Sequence, residues 1–168
     1  FSYHDSINDC QLCASGTYGS TVGASSCTVC SAGKYNNQIA QTSEASCLPC
    51  KVGKFIADNG DDFSYHDSIN DCQVCSTGQH SAPGAAFCDK CPAGYQSFKN
   101  TTSNETTCLR CDSGRYQAKA GQYNCSDCSA GTYQSEKGKA FCLPCNAGLY
   151  QSKEGQPNCT ECPKNNYT

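Results

Sequence analysis

The chain has 168 residues, 18 of them cysteine and 15 glycine, with no Met, no Trp and a net charge of -3. Its mean hydropathy is -0.60. Cysteine stands above the roughly 8–10% that marks a disulfide scaffold, and so little apolar surface cannot build an ordinary single core. The mild acidity excludes the basic face that a nucleic-acid partner needs. No apolar run approaches the roughly 18 residues that span a bilayer. The opening does not read as a secretory leader, so the start is expected to be processed or cut.

Taken from the start, the chain reads as short modules. All cysteines fall in nine CxxC pairs: Cys10/Cys13, Cys27/Cys30, Cys47/Cys50, Cys72/Cys75, Cys88/Cys91, Cys108/Cys111, Cys125/Cys128, Cys142/Cys145 and Cys159/Cys162. The steps between pairs are 17, 20, 25, 16, 20, 17, 17 and 17 residues, a period typical of an array of small units. The units run over 1–13 (partial), 13–30, 30–50, 50–75 with an insert, 75–91, 91–111, 111–128, 128–145 and 145–162. A further unit opens at 162–168.

Each pair is followed three residues on by glycine, from Gly16 and Gly33 to Gly148, and only Asn165 breaks the rule. A ring comes two residues later, at Tyr18, Tyr35, Phe55, His80, Tyr116, Tyr133, Tyr150 and Tyr167; Tyr95 sits one place early. A second glycine follows at Gly23, Gly60, Gly84, Gly121, Gly138 and Gly155, giving CxxCxxGxYxxxxGxxxCxxC. The first glycine suits a left-handed or tightly packed backbone, and the second suits a tight turn. The ring stem is expected to lie across the nearest disulfide as a miniature core, with its hydroxyl in water. Each module then reads as a two-stranded hairpin with about 3–5 residues a strand. Helical periodicity is missing. The fold class expected is an elongated rod of small disulfide-rich β-hairpin repeats without a large hydrophobic core.

A longer repeat lies over the short one. Phe1–Cys13 reads FSYHDSINDCQLC and Phe63–Cys75 reads FSYHDSINDCQVC, differing only at Leu12 and Val74. The second copy follows the insert Lys51–Asp62. The first begins where such an insert would end, so the array is expected to extend upstream, and CPKNNYT at the end points downstream.

The pairing of sulfurs is open to three schemes. The second Cys of one pair can join the first of the next, as a ladder, leaving Cys10 and Cys162 to partners outside the segment. Equal members of adjacent pairs can join, which strands one of nine pairs. Each CxxC can close on itself, as redox sites do.

Other chemistry finds little support. CxxC-x13-CxxC spacing suits a four-thiolate zinc knuckle, but the odd number of pairs and their unbroken series argue against it. Calcium wants six to eight oxygens, and Asp58, Asp61, Asp62 and Asp67 crowd the insert with Asn59 and Asp71. No EF-hand spacing is present, and a solvated acidic loop is the simpler reading. The histidines His4 and His66 share one repeat position and His80 fills a ring slot, so no catalytic base stands out and an enzyme is not expected. Sequons lie at Asn100, Asn104, Asn124, Asn158 and Asn166. Asn124 and Asn158 adjoin a cysteine; Asn100 and Asn104 are the better acceptors of N-glycan.

The Cys-x-x-Gly-x-Tyr opening resembles the cysteine-rich repeats of ephrin-receptor-like ectodomains, and the first sub-module of tumour-necrosis-factor-receptor repeats. The resemblance covers nearly the whole chain. It implies an extended extracellular rod and the ladder pairing: Cys13–Cys27, Cys30–Cys47, Cys50–Cys72, Cys75–Cys88, Cys91–Cys108, Cys111–Cys125, Cys128–Cys142 and Cys145–Cys159. Long arrays with inserts such as GKFIADNGDDFSYHDSINDC resemble surface and matrix proteins of algae and other protists, flagellar-hair (mastigoneme) proteins among them. The function expected is a structural stalk or filament component, secreted or at a cell surface, whose partners are other protein chains. A receptor or adhesin ectodomain and a coat antigen are the other readings.

Overall fold

The computed structural model describes residues 10–58 and 60–164. Within them the chain forms eight antiparallel two-stranded hairpins. These are Thr17–Tyr18 with Thr28–Val29, Lys34–Tyr35 with Leu48–Pro49, Lys54–Phe55 with Gln73–Val74, and Gln79–His80 with Asp89–Lys90. Then come Tyr95–Lys99 with Thr106–Arg110, Arg115–Tyr116 with Ser126–Asp127, Thr132–Tyr133 with Leu143–Pro144, and Leu149–Tyr150 with Thr160–Glu161. The regular helices described are three single 3-10 turns, at Glu44–Ser46, Phe63–Tyr65 and Ile69–Asp71.

The strands are shorter than the sequence predicts, and the cysteine spacing explains why. In seven of the hairpins the second strand is the two residues inside a CxxC pair, such as Thr28–Val29 between Cys27 and Cys30. Its partner is the x-Tyr that follows the first glycine, so the register Thr17↔Val29 and Tyr18↔Thr28 uses up the motif. The hairpin Tyr95–Lys99/Thr106–Arg110 alone reaches five residues a strand, because its polar loop extends the pairing past Cys108.

Eight disulfides close the modules: Cys13–Cys27, Cys30–Cys47, Cys50–Cys72, Cys75–Cys88, Cys91–Cys108, Cys111–Cys125, Cys128–Cys142 and Cys145–Cys159. Their loops span from 13 to 22 residues. In the chain-entropy account each bridge is worth about 3 kcal/mol.

The chain divides into two compact units, 1–74 with 82–87, and 75–81 with 88–168. The division therefore passes through the module that Cys75 opens.

In the first unit, modules are joined by main-chain bonds. Gly16 N–H donates to Asn36 O at 2.6 Å, and Cys30 N–H donates back to Gly16 O at 2.9 Å. Gly84 N–H donates to Cys50 O at 2.8 Å. The module opened by Cys30 lacks a second glycine, and Ala40 takes its place with φ 58° and donates to Cys13 O at 2.7 Å. An L-residue there carries about 1–2 kcal/mol of strain.

The second unit repeats the joint more regularly. Gly114 N–H donates to Gln134 O at 2.6 Å, Cys128 N–H to Gly114 O at 2.9 Å, and Gly155 N–H to Cys128 O at 2.8 Å. The carbonyl of Gly155 then packs on Gly114, where a Cβ would meet it at 2.1 Å. Gly114 has φ 82°, so both its conformation and its lack of a side chain are required. The module opened by Cys111 thus touches the next and the next but one.

The core is sulfur and the residue after the ring, with the ring packed part-way on it, as Tyr35 is against Cys50, Ile56 and Cys72. Cys30, Cys50, Cys91 and Cys128 are wholly buried, with Cys111 close behind, whereas Tyr18, Tyr35, Tyr95, Tyr116 and Tyr133 are half-buried and Tyr150 is exposed. The next position holds buried Asn36, Ile56, Ser81 and Gln134. Its amide clamps the module. Gln134 Oε1 accepts from Glu136 N–H at 3.0 Å while Nε2 donates to Phe141 O at 2.8 Å, and Gln151 bonds Lys153 and Asn158 in the same way. A buried amide is satisfied on both ends, as burial demands.

Two substitutions of opposite sign test the joint. Gly114→Ala places a methyl into the Gly155 carbonyl and should cost about 3 kcal/mol or more, read as a lower Tm without reductant. Ala40→Gly removes strain and should raise stability by about 1 kcal/mol. A neutral result for both would discard the account.

Candidate functional surface on the long module

The module between Cys50 and Cys72 departs from the pattern and carries the most distinctive side chains. Its insert is built from caps. Asp62 accepts from Ser64 N–H at 2.9 Å and Ser64 Oγ–H at 2.7 Å, starting the turn Phe63–Tyr65. Ser68 and Asp71 form a reciprocal capping box around Ile69–Asp71, with Ser68 N–H donating to Asp71 Oδ2 at 2.8 Å. Asp58 Oδ2 accepts from Gly60 N–H at 3.1 Å, Asp61 N–H at 3.2 Å and Asp62 N–H at 3.4 Å.

His66 is wholly buried at the centre of this arrangement. Its Nε2 lies 3.0 Å from Asp58 Oδ2 and its Nδ1 lies 2.7 Å from Lys34 O, in the preceding module. Its carbonyl accepts from Asn36 N–H at 2.8 Å. Elsewhere that bond is accepted by the residue after the second glycine, as Gln156 O accepts from Gln134 N–H at 3.3 Å. Tyr65-His66 therefore stands where the sequence puts Gly60, and the Phe63 carbonyl packs on Gly16. The insert supplies a side-chain version of a joint that other modules make from glycine.

Three of the acidic residues serve the backbone. Asp58, Asp62 and Asp71 are spent on N–H donors, while Asp61 is exposed and Asp67 half-buried. Among the described residues no three His, Cys, Asp or Glu side chains gather as a metal group. Burial raises the affinity of Asp58 for protons, but the hydrogen bond from His66 and those from the Asp62 and Gly60 amides outweigh it, so its carboxyl sits below the ordinary range. The side-chain and main-chain bonds from Ser64 lower Asp62 likewise.

Around the insert, Phe63, Tyr65 and Ile69 are about half exposed. A cleft of about 210 Å³ lies between Ile56, Ala57, Asp58, Tyr65, Asp71 and Gln73. That is below the roughly 300–1,000 Å³ of small-molecule sites.

The sequons are scattered. Asn100 and Asn104 lie exposed at the tip of the five-residue hairpin, where Asn100 Oδ1 accepts from Thr102 N–H at 2.8 Å and Asn104 has φ 57°. Asn124 and Asn158 are exposed, and their carbonyls accept from Gln117 and Gln151. Asn166 and His4 lie outside the described residues. Cys10 and Cys162 take part in none of the eight bridges within this segment, Cys10 being exposed and Cys162 half-buried. His80 stays at its ring slot, half-buried and paired with Asp89 across its hairpin. The burial of His66 was hidden in the sequence. Its one signal is its recurrence as His4 within an unaltered eleven-residue string.

The lowered Asp58 fixes a pH effect. A carboxyl whose folded pKa lies below its ordinary 3.8 stabilises above that value, and its contribution is lost as pH falls through the folded one. The amide resonances of Gly60, Asp61 and Asp62 should hold from pH 5.5 to about 4 and move together below it. No movement at lower pH would show that Asp58 is not their acceptor.

No curated protein matches the chain. The pattern of the family described as tyrosine-protein kinase ephrin type A/B receptor-like matches residues 1–47, 99–140, 119–148 and 131–168. These matches together cover more than half of the sequence, and the chain belongs to the ephrin-receptor-like family of cysteine-rich repeats.

Proposed function

We propose that this disulfide-rich repeat chain is a structural, non-catalytic element of a cell surface or surface appendage, a stalk or filament component that associates with further protein chains. The interlocked modules support the reading most directly. Each is sealed by its own disulfide and bonded through the main chain to its neighbours, so length is added without enlarging a core. Many disulfides and ephrin-receptor-like repeats belong to an oxidising, extracellular setting. Among the described residues no helix is long and apolar enough to cross a membrane. Surface or flagellar-hair proteins of the mastigoneme kind, secreted or held at the cell surface, fit such a material. N-glycan at Asn100 and Asn104 would keep the long hairpin tip solvated.

A receptor or adhesin ectodomain is the second reading, favoured by one observation: Phe63, Tyr65 and Ile69 stand half exposed beside acidic side chains on a single insert. A surface-coat antigen shares its predictions.

Negative-stain images of the purified, oxidised chain separate the readings. Filaments or lateral bundles support the structural proposal, and isolated particles at high concentration count against it. Peptide mapping of the same material from a glycosylating host should find N-glycosidase-released sugar at Asn100 or Asn104; bare asparagines there would remove the glycan from the proposal.

A further inference from the structure

His66 presents a hydrogen-bond count that a neutral ring cannot meet. Nδ1 faces the carbonyl of Lys34 at 2.7 Å and Nε2 faces the carboxylate of Asp58 at 3.0 Å. A carbonyl can only accept, and an ionised carboxylate can only accept. Neutral imidazole has one N–H, so one of these oxygens would meet a lone pair inside a ring site that water does not reach. Only imidazolium satisfies both, and its charge is opposed by Asp58 in contact.

The neighbours leave that charge in place. From the insert, Asp58 touches the ring, Asp62 stands close enough to act on the pair, and Asp67 follows in sequence. From the preceding module comes the Lys34 main chain, while its ammonium turns away to Glu44 at 2.7 Å. From the first module comes Gly16, which packs on the backbone at Phe63, His66 and Asp67 and brings no titratable group.

We propose that the long module docks on the module before it through an imidazolium clasp, His66 to Lys34 O and Asp58, which holds the insert down when protonated and releases it when deprotonated. The Cys50–Cys72 disulfide tethers both ends of the insert, so release is a local opening of about residues 60–71 and not unfolding of the array. The same stretch exposes Phe63, Tyr65 and Ile69, so the clasp controls how rigidly that surface is presented. The device does not depend on whether the chain builds filaments.

The test uses the whole oxidised chain. Nitrogen-15 spectra of the imidazole at pH 5.5 should show protons on both ring nitrogens of His66; a single protonated nitrogen overturns the proposal. Hydrogen exchange, corrected for intrinsic rate, should show protection at the Asn36 and His66 amides falling at least tenfold from pH 5.5 to 9. Amides of the Gly114 joint in the second unit should keep theirs. Equal loss in both joints, or none in either, refutes the clasp. Asp58→Asn should weaken protection of the same two amides at pH 5.5 and flatten its pH dependence. Wild-type dependence retained in that variant also counts against it.

Discussion

Each module is closed by one covalent bond between the second cysteine of a CxxC pair and the first cysteine of the next. The rest of the fold depends on that bond. The described apolar residues are few, and apart from half-cystines only Ile56 is buried. A loop of 13 to 22 residues with two-residue strands has no means of staying closed by itself. Joining its ends removes much of the entropy that closure would otherwise cost, and brings the two residues inside each CxxC beside the x-Tyr strand. Main-chain bonds between modules become possible only after the loops have been fixed in this way.

What a hydrophobic core does elsewhere is divided here between sulfur and peptide groups. The disulfides occupy the interior, and the first glycine of each complete joint lets a carbonyl from two modules ahead approach closer than any side chain permits, as Gly155 O does at Gly114. Polar side chains then fill the small remaining interior positions with their hydrogen bonds satisfied, Asn36 and Gln134 among them. Such an interior is specific without being greasy. It tolerates wide change on loops and very little at glycine. The long module shows how far the tolerance goes, since Tyr65-His66 replaces a glycine turn with a buried ring and its carboxylate partner.

Much of this was written in the sequence as spacing. Cysteine and glycine periods mark modules because each has a fixed mechanical place, and the two-residue gap in CxxC is the strand itself. The ring was legible as a half-buried cover on sulfur, as Tyr35 is against Cys50 and Cys72. The position after it looks unremarkable, changing from Asn36 to Ile56 to Ser81 to Gln134, and its burial follows from contacts with the next module. Ala40 escaped notice for a similar reason: nothing in its identity announces a left-handed backbone, which the neighbouring Cys13 carbonyl imposes. The acidic insert invited a cation because composition counts carboxylates, whereas only geometry reveals that Asp58, Asp62 and Asp71 already serve N–H groups.

The ladder also sets how the chain answers tension. Every residue between an opening cysteine and its closing partner lies on a loop that the bridge bypasses, so force runs across the bridge and through three peptide steps of the next CxxC. The bridged Cα atoms stand 5.5 to 5.9 Å apart. Three steps add roughly 10 Å at about 3.3–3.6 Å each. An oxidised module can therefore never be drawn out beyond roughly 16 Å, whereas the same residues without bridges would reach about 60 Å at that rise per residue. Reduction converts a nearly inextensible cable into a slack thread nearly four times its length, and the redox state of its surroundings sets its tensile character.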